Sequence, residues 1–281
     1  MLKGNAPVVA DSVVVAEPSI EVEPVVAVPE VQEQPTVDIP NEAPTPRPAS
    51  SLSELIERHL KATGFGELDV LIANGTASAT APAFEVTLMA RRPNLYKLKT
   101  ESDQMDYMSQ FGYDGQEGWF KQRLVDLSPE DIEFFMRVAL FESSVPHLAW
   151  SFQSDEAREF GLDTVLERLP SEQWQGRPCE VVVSRGLLPF PMYHYIDQET
   201  NEEVYRRAQI SRGAELVDVA LGFDASEDAA SPRIPMGYQL YIDGALHDTV
   251  RYTKIRANRT MLSSLFDAPS DAFATGLAPR R

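Results

Sequence analysis

The sequence predicts an α+β protein: one continuous antiparallel sheet with helices on one side, or an incompletely closed barrel. Three observations predict it. Apolar residues alternate with polar ones over several short stretches, as in half-buried antiparallel strands. Turn residues separate those stretches at short intervals. Finally, strand patterns come first, a helical stretch interrupts them, and strand patterns resume, which keeps the helices together on one part of the sheet.

Structure is expected to begin at Ser51. Ser51 and Glu54 form an S-x-x-E capping box, and Leu52, Leu55, Ile56 and Leu60 make one stripe before Gly64 ends the helix. His59 beside that stripe reads as a packed edge residue. Residues 66–74 fit either a further helical turn or a strand. Strands follow at about 76–80, 83–91, 95–101, 105–113 and 116–122. In the second, Phe84, Val86, Leu88 and Ala90 alternate with Glu85, Thr87, Met89 and Arg91. In the fourth, Met105, Tyr107, Phe111 and Tyr113 share one face with Ser109. Asp114-Gly115 is expected to form a two-residue type I′ hairpin turn, because Asp tolerates and Gly favours positive φ. Trp119 leads the strand after it.

A helix is expected at 128–141, with Ser128 as N-cap, Pro129 in the first turn, and Glu130 and Asp131 at the positive end of the dipole. Phe134, Phe135, Val138, Leu140 and Phe141 make it apolar nearly all round, so it needs cover on both sides. It fits a buried core helix or a lid between the sheet and a hydrophobic ligand. A more polar helix is expected at 155–160. Further strands are expected at about 163–169, 179–185, 192–197, 202–210, 215–222, 236–242 and 246–256, with turns at 175–178 and 243–244. Residues 225–235 read as a loop.

Residues 1–50 lack a helical or strand period, and they hold nine of the 21 prolines. They are expected to be extended and disordered, a spacer rather than a passive tail. Asp11, Glu17, Glu21, Glu23, Glu30, Glu33, Asp38 and Glu42 stand there against Lys3 and Arg47. The net charge of −18 over 281 residues disfavours nucleic acid as a partner and attachment to anionic lipid by charge alone. No apolar run reaches the ~20 residues needed to span a bilayer, and no signal peptide is visible. Cys179 is the single cysteine, so an intrachain disulfide is excluded.

Signals for chemistry are sparse. Histidines 59, 147, 194 and 247 are scattered, with no H-E-x-x-H motif, and no metal site or cofactor is expected. Neither a G-x-S-x-G elbow nor a P-loop nor G-x-G-x-x-G is present. Cys179 opens the strand Cys-Glu-Val-Val-Val and reads as a small buried residue. The sequons at Asn74 and Asn258 read as chance or turn residues. No catalytic residue is expected, and the chain does not read as an enzyme.

Several short motifs occur in order: Arg92-Pro93-Asn94; Tyr113-Asp114-Gly115-Gln116-Glu117-Gly118-Trp119; Gly176-Arg177-Pro178-Cys179-Glu180-Val181; Tyr195-Ile196-Asp197-Gln198-Glu199-Thr200; Pro235; and Asn258 ahead of Phe266-Asp267-Ala268-Pro269. Over about residues 52–269 this set resembles the outer-membrane lipoprotein-sorting protein family, with its LolA/LolB-like fold. The resemblance implies a strongly curved antiparallel sheet, an unclosed β-barrel, with helices covering its mouth. It further implies a cavity for lipid or lipoprotein acyl chains and a periplasmic or envelope-associated setting, with an envelope protein as a possible partner. On that basis residues 51–270 form the LolA-like half-barrel domain, preceded by the 1–50 tail and followed by a flexible end at 271–281.

Alternation and the resemblance together place Phe84, Val86, Leu88, Tyr96, Leu98, Tyr107, Phe111 and Trp119 on the concave wall of the cavity, with Phe134, Phe135 and Val138 on the lid. The function expected is non-enzymatic carriage of a hydrophobic ligand in the bacterial envelope. The alternatives are an envelope sensor or adaptor that reads lipoproteins and signals to a protein partner, and a structural module whose barrel is filled by its own side chains.

Limited proteolysis is expected to clip residues 1–50 readily and to leave a core beginning near Ser51. Their deletion should leave the melting temperature unchanged; a drop of several degrees would show them packed on the domain.

Overall fold

Two antiparallel meanders are joined along one pair of strands. The computed structural model describes residues 51–78, 83–123, 127–186, 188–226 and 232–275. The 1–50 tail, the last six residues and the middle of the 225–235 loop lie outside the described residues. The first meander is β1 (Val70–Ala77), β2 (Phe84–Arg91), β3 (Leu95–Ser102), β4 (Tyr107–Tyr113) and β5 (Gly118–Arg123). The second is β6 (Leu166–Trp174), β7 (Arg177–Ser184), β8 (Met192–Asp197), β9 (Glu203–Arg212), β10 (Glu215–Phe223), β11 (Gly237–Ile242) and β12 (Ala245–Ala257). Pairing of β1 with β12 unites them, and a short β13 (Phe273–Thr275) extends the β5 edge. The result is one 13-stranded sheet with β13 and β6 at its open edges, so the barrel is not closed.

Among the described residues four α-helices accompany the sheet: α1 (Leu52–Thr63), α2 (Pro129–Ser143), α3 (His147–Phe152) and α4 (Asp155–Phe160). The Ser51 hydroxyl accepts from the Glu54 N–H while the Glu54 carboxylate accepts from the Ser51 N–H. Each helix residue that caps in this way satisfies donors that would otherwise be orphaned at the first turn. Ser128 does the same for α2 by accepting from the Asp131 N–H, with Pro129 in the first turn. Leu55 and Ile56 of α1, Leu148 of α3 and Ala157 of α4 pack on Leu166, Val182 and Ile196 of the β6–β8 limb. Helix α2 lies against β2–β5 and also against β9. Those two sets stand far apart in the strand order, so only a strongly curved sheet can bring both to one helix.

Several elements differ from expectation for local reasons. Strand β1 runs from Val70 through Gly75 to Ala77, so the 66–74 stretch, which fits either a helical turn or a strand, is strand from Val70 onward and joins the one expected at 76–80. A register shift between Asn74 and Gly75 lies in the β1–β12 pair, and a Cβ on Gly75 would meet the Arg251 carbonyl oxygen at 2.0 Å. Glycine is therefore required by close backbone approach, not as a terminator. Asp114-Gly115 is not a two-residue turn, because Tyr113 pairs with Gly118 across a four-residue loop. Asp114 Oδ1 accepts from the N–H groups of Gln116 and Glu117, which organises the longer connection. The turns at Gln175-Gly176 and Asp243-Gly244 do have positive φ at both positions, as type I′ requires. Strand β6 continues to Trp174, past a register shift beside Pro170 that an edge strand can accommodate. Met105 leaves the β4 alternation, because Asp103–Met105 is a 3-10 turn. Helix α3 has no side-chain cap at Pro146, and β13 is only three residues long; neither carries a pattern long enough to read.

Gly75→Ala is expected to destabilise the protein by about 1–3 kcal/mol, since the carbonyl it would strike belongs to the paired backbone and cannot rotate away. Gly66→Ala, where the nearest atom is the end of the Gln153 side chain at 3.6 Å, should stay within ~0.5 kcal/mol of the parent. Urea denaturation of both variants measures the difference.

Candidate functional site: an apolar cavity beneath helix α2

A cavity of about 390 Å3 lies between α2 and the concave face of the sheet. That volume falls in the ~300–1,000 Å3 range of small-ligand sites. Its wall on one side is Phe84 and Val86 of β2, Leu98 of β3, Tyr107 of β4 and Phe120 of β5. On the other side stand Tyr238, Leu240 and Ile242 of β11 with Val250 of β12. The roof is Phe135, Val138, Ala139 and Glu142 of α2. These four are spaced i, i+3, i+4 and i+7, which puts them on a single helical stripe. Phe134, Leu140 and Phe141, off that stripe, are buried in the main core.

The apolar wall follows from register. Leu88 pairs with Leu98, Leu98 with Phe111, and Phe111 with Phe120, so these side chains share the concave face. Phe84, Val86, Leu98 and Tyr107 line the cavity, as do Phe135 and Val138 from α2. Leu88, Tyr96 and Phe111 lie deeper in the core, where the Tyr96 and Trp150 rings stack at 5.8 Å. Phe134 turns toward the β9 side, with the Arg212 guanidinium 5.5 Å from its ring.

Trp119 stands on the opposite face of the sheet. It pairs with Gly112, and its ring occupies the space that a Cβ there would need. Its Nε1–H donates to the Phe266 carbonyl at 2.7 Å, and Lys97 Nζ lies 5.4 Å from the ring. Phe120, not Trp119, takes the inward position, because Phe120 pairs with the inward-facing Phe111 whereas Trp119 pairs with Gly112.

The wall from β11 and β12 and the roof residue Glu142 were missed in the sequence. Period-2 spacing of Tyr238, Leu240 and Ile242 could have found the former, and the i+7 position from Phe135 the latter. Glu142 Oε1 accepts from Tyr238 Oη–H at 2.9 Å. Burial is the main cause that pushes its carboxyl up to about 8, with Asp248 adding to the rise and the Tyr238 hydrogen bond opposing it.

Helix α2 is held along β9 by polar anchors on the side away from the cavity. Asp131 accepts from Arg212 at 2.6 Å near the first turn, and Arg137 donates to the Ser211 carbonyl in the middle. At the far end the fully buried Arg206 donates to the carbonyls of Ser144 and Val145, compensating the negative end of the helix dipole. The same guanidinium donates to both oxygens of Glu203, at 2.8 and 2.7 Å. His194 joins them with Nδ1 2.7 Å from Glu203 and Nε2 2.9 Å from the Ser184 hydroxyl. His147 stacks on His194 at 6.1 Å between centroids.

His59, the expected edge residue, is buried, with Nδ1 2.9 Å from the Asn201 carbonyl. Cys179 is buried too, and burial first, then Asp197, raises its thiol to about 11, which keeps it protonated at neutral pH. Asn258 serves as a turn residue: its side chain accepts from the N–H groups of Asp69 and Val70 and donates to the Glu67 carbonyl. Among the described residues no group of three His, Cys, Asp or Glu is placed to hold a metal ion, and no helix is long and apolar enough to cross a membrane. Two other concavities differ in character. One of about 300 Å3 is lined by polar groups including His59, Glu202, Glu203 and Arg233, and one of about 640 Å3 runs over Trp174, Tyr193, Tyr205, Arg207 and Tyr241 on the convex face.

The class these features define is an open, strongly curved antiparallel sheet whose concave face keeps a helix-roofed apolar cavity. The chain matches no protein-family model, and no curated protein matches it. Among solved structures it is similar to a LolA superfamily protein from Nitrosomonas europaea, at 10% identity and a TM-score of 0.49 over 78% of this chain and 99% of that one. It is also similar to a DUF1329 family protein from Desulfovibrio piger, at 8% identity and a TM-score of 0.48 over 78% and 98% of the two chains. An outer membrane lipoprotein-sorting protein domain from Vibrio parahaemolyticus gives 12% identity and a TM-score of 0.45 over 76% and 95%. With identities this low and TM-scores below 0.5, the functional reading rests on the chain's own cavity.

The buried polar cluster sets a pH dependence. Burial is the first cause that lowers the pKa of His59, His147 and His194 below 6.5. The unfolded chain therefore binds protons near pH ~6.5 that the folded chain does not, and stability falls on acidification below that point. Burial opposes ionisation of Glu203, but Arg206 and His194 outweigh it and hold the carboxyl below the usual range. That contribution is present above pH ~4.5 and is lost only at lower pH. The melting temperature should rise slightly from pH 8 to 7, as the raised Glu142 carboxyl takes up its proton, and fall between pH 6.5 and 5, where the three histidines outweigh that one carboxyl. A melting temperature that rose over that interval would contradict neutral buried histidines. Glu203→Gln at pH 7 should cost about 3–5 kcal/mol, because it leaves Arg206 buried without its counter-charge.

Proposed function

We propose that the protein is a non-enzymatic carrier of the bacterial envelope that buries the hydrocarbon chain of a lipid or lipoprotein in the cavity beneath α2. The observation that carries this reading is the roof stripe of Phe135, Val138 and Ala139 facing a wall of Phe84, Val86, Leu98, Leu240 and Val250 across unfilled space. A self-filled barrel would leave no such space. Each methylene transferred from water into that wall gains roughly 0.8 kcal/mol, so about ten would outweigh the several kcal/mol lost on association. Binding needs no bond to form or break, and release needs only that α2 move on its mount. The envelope setting comes from the motif resemblance.

The alternative of a sensor or adaptor would require a surface for a protein partner. The convex groove of Trp174, Tyr193, Tyr205 and Tyr241 favours that reading as the place such a partner would sit. Its aromatic, Arg-bearing character matches the composition of protein interfaces.

Phe135→Asp introduces a charge that must be desolvated in the roof. It is expected to weaken binding of a fluorescent long-chain fatty acyl ester by more than about tenfold, a loss above ~1.4 kcal/mol. Lys254→Ala, on the exposed side of β12, should leave it unchanged. Fluorescence titration of both variants, with circular dichroism to confirm folding, is the test. A folded Phe135→Asp that binds as tightly as the parent would place the ligand elsewhere.

A further inference from the structure

The cavity contains an unusual polar feature for a hydrocarbon site: a carboxyl group in the roof and no basic side chain of Lys or Arg among its described lining residues. Glu142 completes the α2 stripe, and its carboxyl meets Tyr238 Oη–H at 2.9 Å. The groups that face it from the packed elements are Tyr238 of β11, and His247, Asp248 and Tyr252 of β12; Tyr107 of β4 lies across the cavity. Apart from His247, which is exposed, all of these are acids or phenols. A carboxyl placed like this has no counter-charge in the protein, and burying it unpaired costs free energy in the absence of a ligand.

Resting on the carrier reading above, we propose that the cavity prefers amphiphiles whose polar end is an ammonium group, with Glu142 as the partner of that cation and Tyr238 as its positioning hydrogen-bond donor. A ligand carboxylate would instead face Glu142 and Asp248 with no Lys or Arg among the described lining residues to balance it. A neutral chain gains from the apolar wall alone. An ammonium supplies the missing charge, and the attraction between the pair is stronger in the cavity than in water.

The proton balance follows directly. With its carboxyl pushed up to about 8, Glu142 is mostly protonated at pH 7 in the free protein. Arrival of R–NH3+ favours the ionised carboxylate, so the acid proton leaves to the buffer while the ligand keeps its own three. Binding of an alkylamine at pH 7 should therefore release close to one proton, and amine affinity should rise from pH 6 toward pH 8 as that proton becomes easier to remove.

The experiment uses the full chain and three straight-chain probes of equal length: a hexadecyl amine, a hexadecyl alcohol and the matching carboxylate. Each displaces a fluorescent acyl ester at pH 7, and calorimetry in two buffers of different ionisation enthalpy counts protons. The expected result is amine binding at least about tenfold tighter than carboxylate, with proton release. Glu142→Gln should lose that preference and the proton release while binding the alcohol as the parent does; Tyr238→Phe should reduce the preference without abolishing it. Equal affinity for amine and carboxylate, or a Glu142→Gln variant that keeps its amine preference, overturns the inference and leaves the carrier reading standing. Failure of the alcohol and the ester alike to bind the folded parent overturns both.

Discussion

The fold depends on the placement of α2 between the two limbs of a sheet that curves around it. One long side of the helix is tied to β9 by Asp131–Arg212, Arg137–Ser211 and Arg206 at the C-terminal carbonyls. The other side offers Phe135, Val138 and Ala139 to the space under β2–β5 and β11–β12. A helix apolar on one stripe alone would settle on a sheet and exclude the cavity. A helix apolar nearly all round, with directional polar anchors along one edge, is fixed at a set distance from the opposite wall. Curvature of the sheet then determines how much space remains.

The buried cluster at the end of α2 has a different energetic character from the cavity. Arg206, Glu203 and His194 satisfy one another, and Arg206 also donates to the Ser144 and Val145 carbonyls at the end of the helix. Such networks are strong when complete and costly when broken, because their members are largely removed from water. The two regions therefore divide the work. The cluster holds the helix, whereas the cavity leaves one carboxyl, Glu142, with a single phenolic partner and no counter-charge. Glu203 meets two partners, Arg206 and His194; Glu142 meets only Tyr238.

Much of this was legible in the sequence, and the reasons for the rest are physical. Capping at Ser51 and Ser128 and the alternation of Phe84, Val86 and Leu88 rest on local chemistry, and local chemistry determined those elements. The inward position of Phe120 follows from its pairing with Phe111, and strand alternation then turns Trp119 to the other face. A two-residue change in loop length keeps the faces of the strand, so Trp119 stands outside with either turn, and its aromatic character alone does not place it in the cavity. Period-2 spacing marks Tyr238, Leu240 and Ile242 as one face, but their place opposite β2–β5 required the pairing of β1 with β12, a contact between distant parts of the chain. Glu142 was hidden for another reason: a carboxylate in a helix reads as a solvated residue until its spacing from Phe135 is set against a real roof.

The central claim is that a hydrocarbon chain occupies the space under α2. The most direct measurement is an isotope-filtered nuclear Overhauser experiment on methyl-labelled protein with an unlabelled long-chain acyl ligand. Chain methylenes should show contacts to the methyl groups of Val86, Leu98, Val138 and Leu240, which come from both limbs and from the roof. Contacts confined to residues around Trp174 and Tyr205 on the convex face, or none to any of the four methyl-bearing residues in a saturated complex, would contradict it.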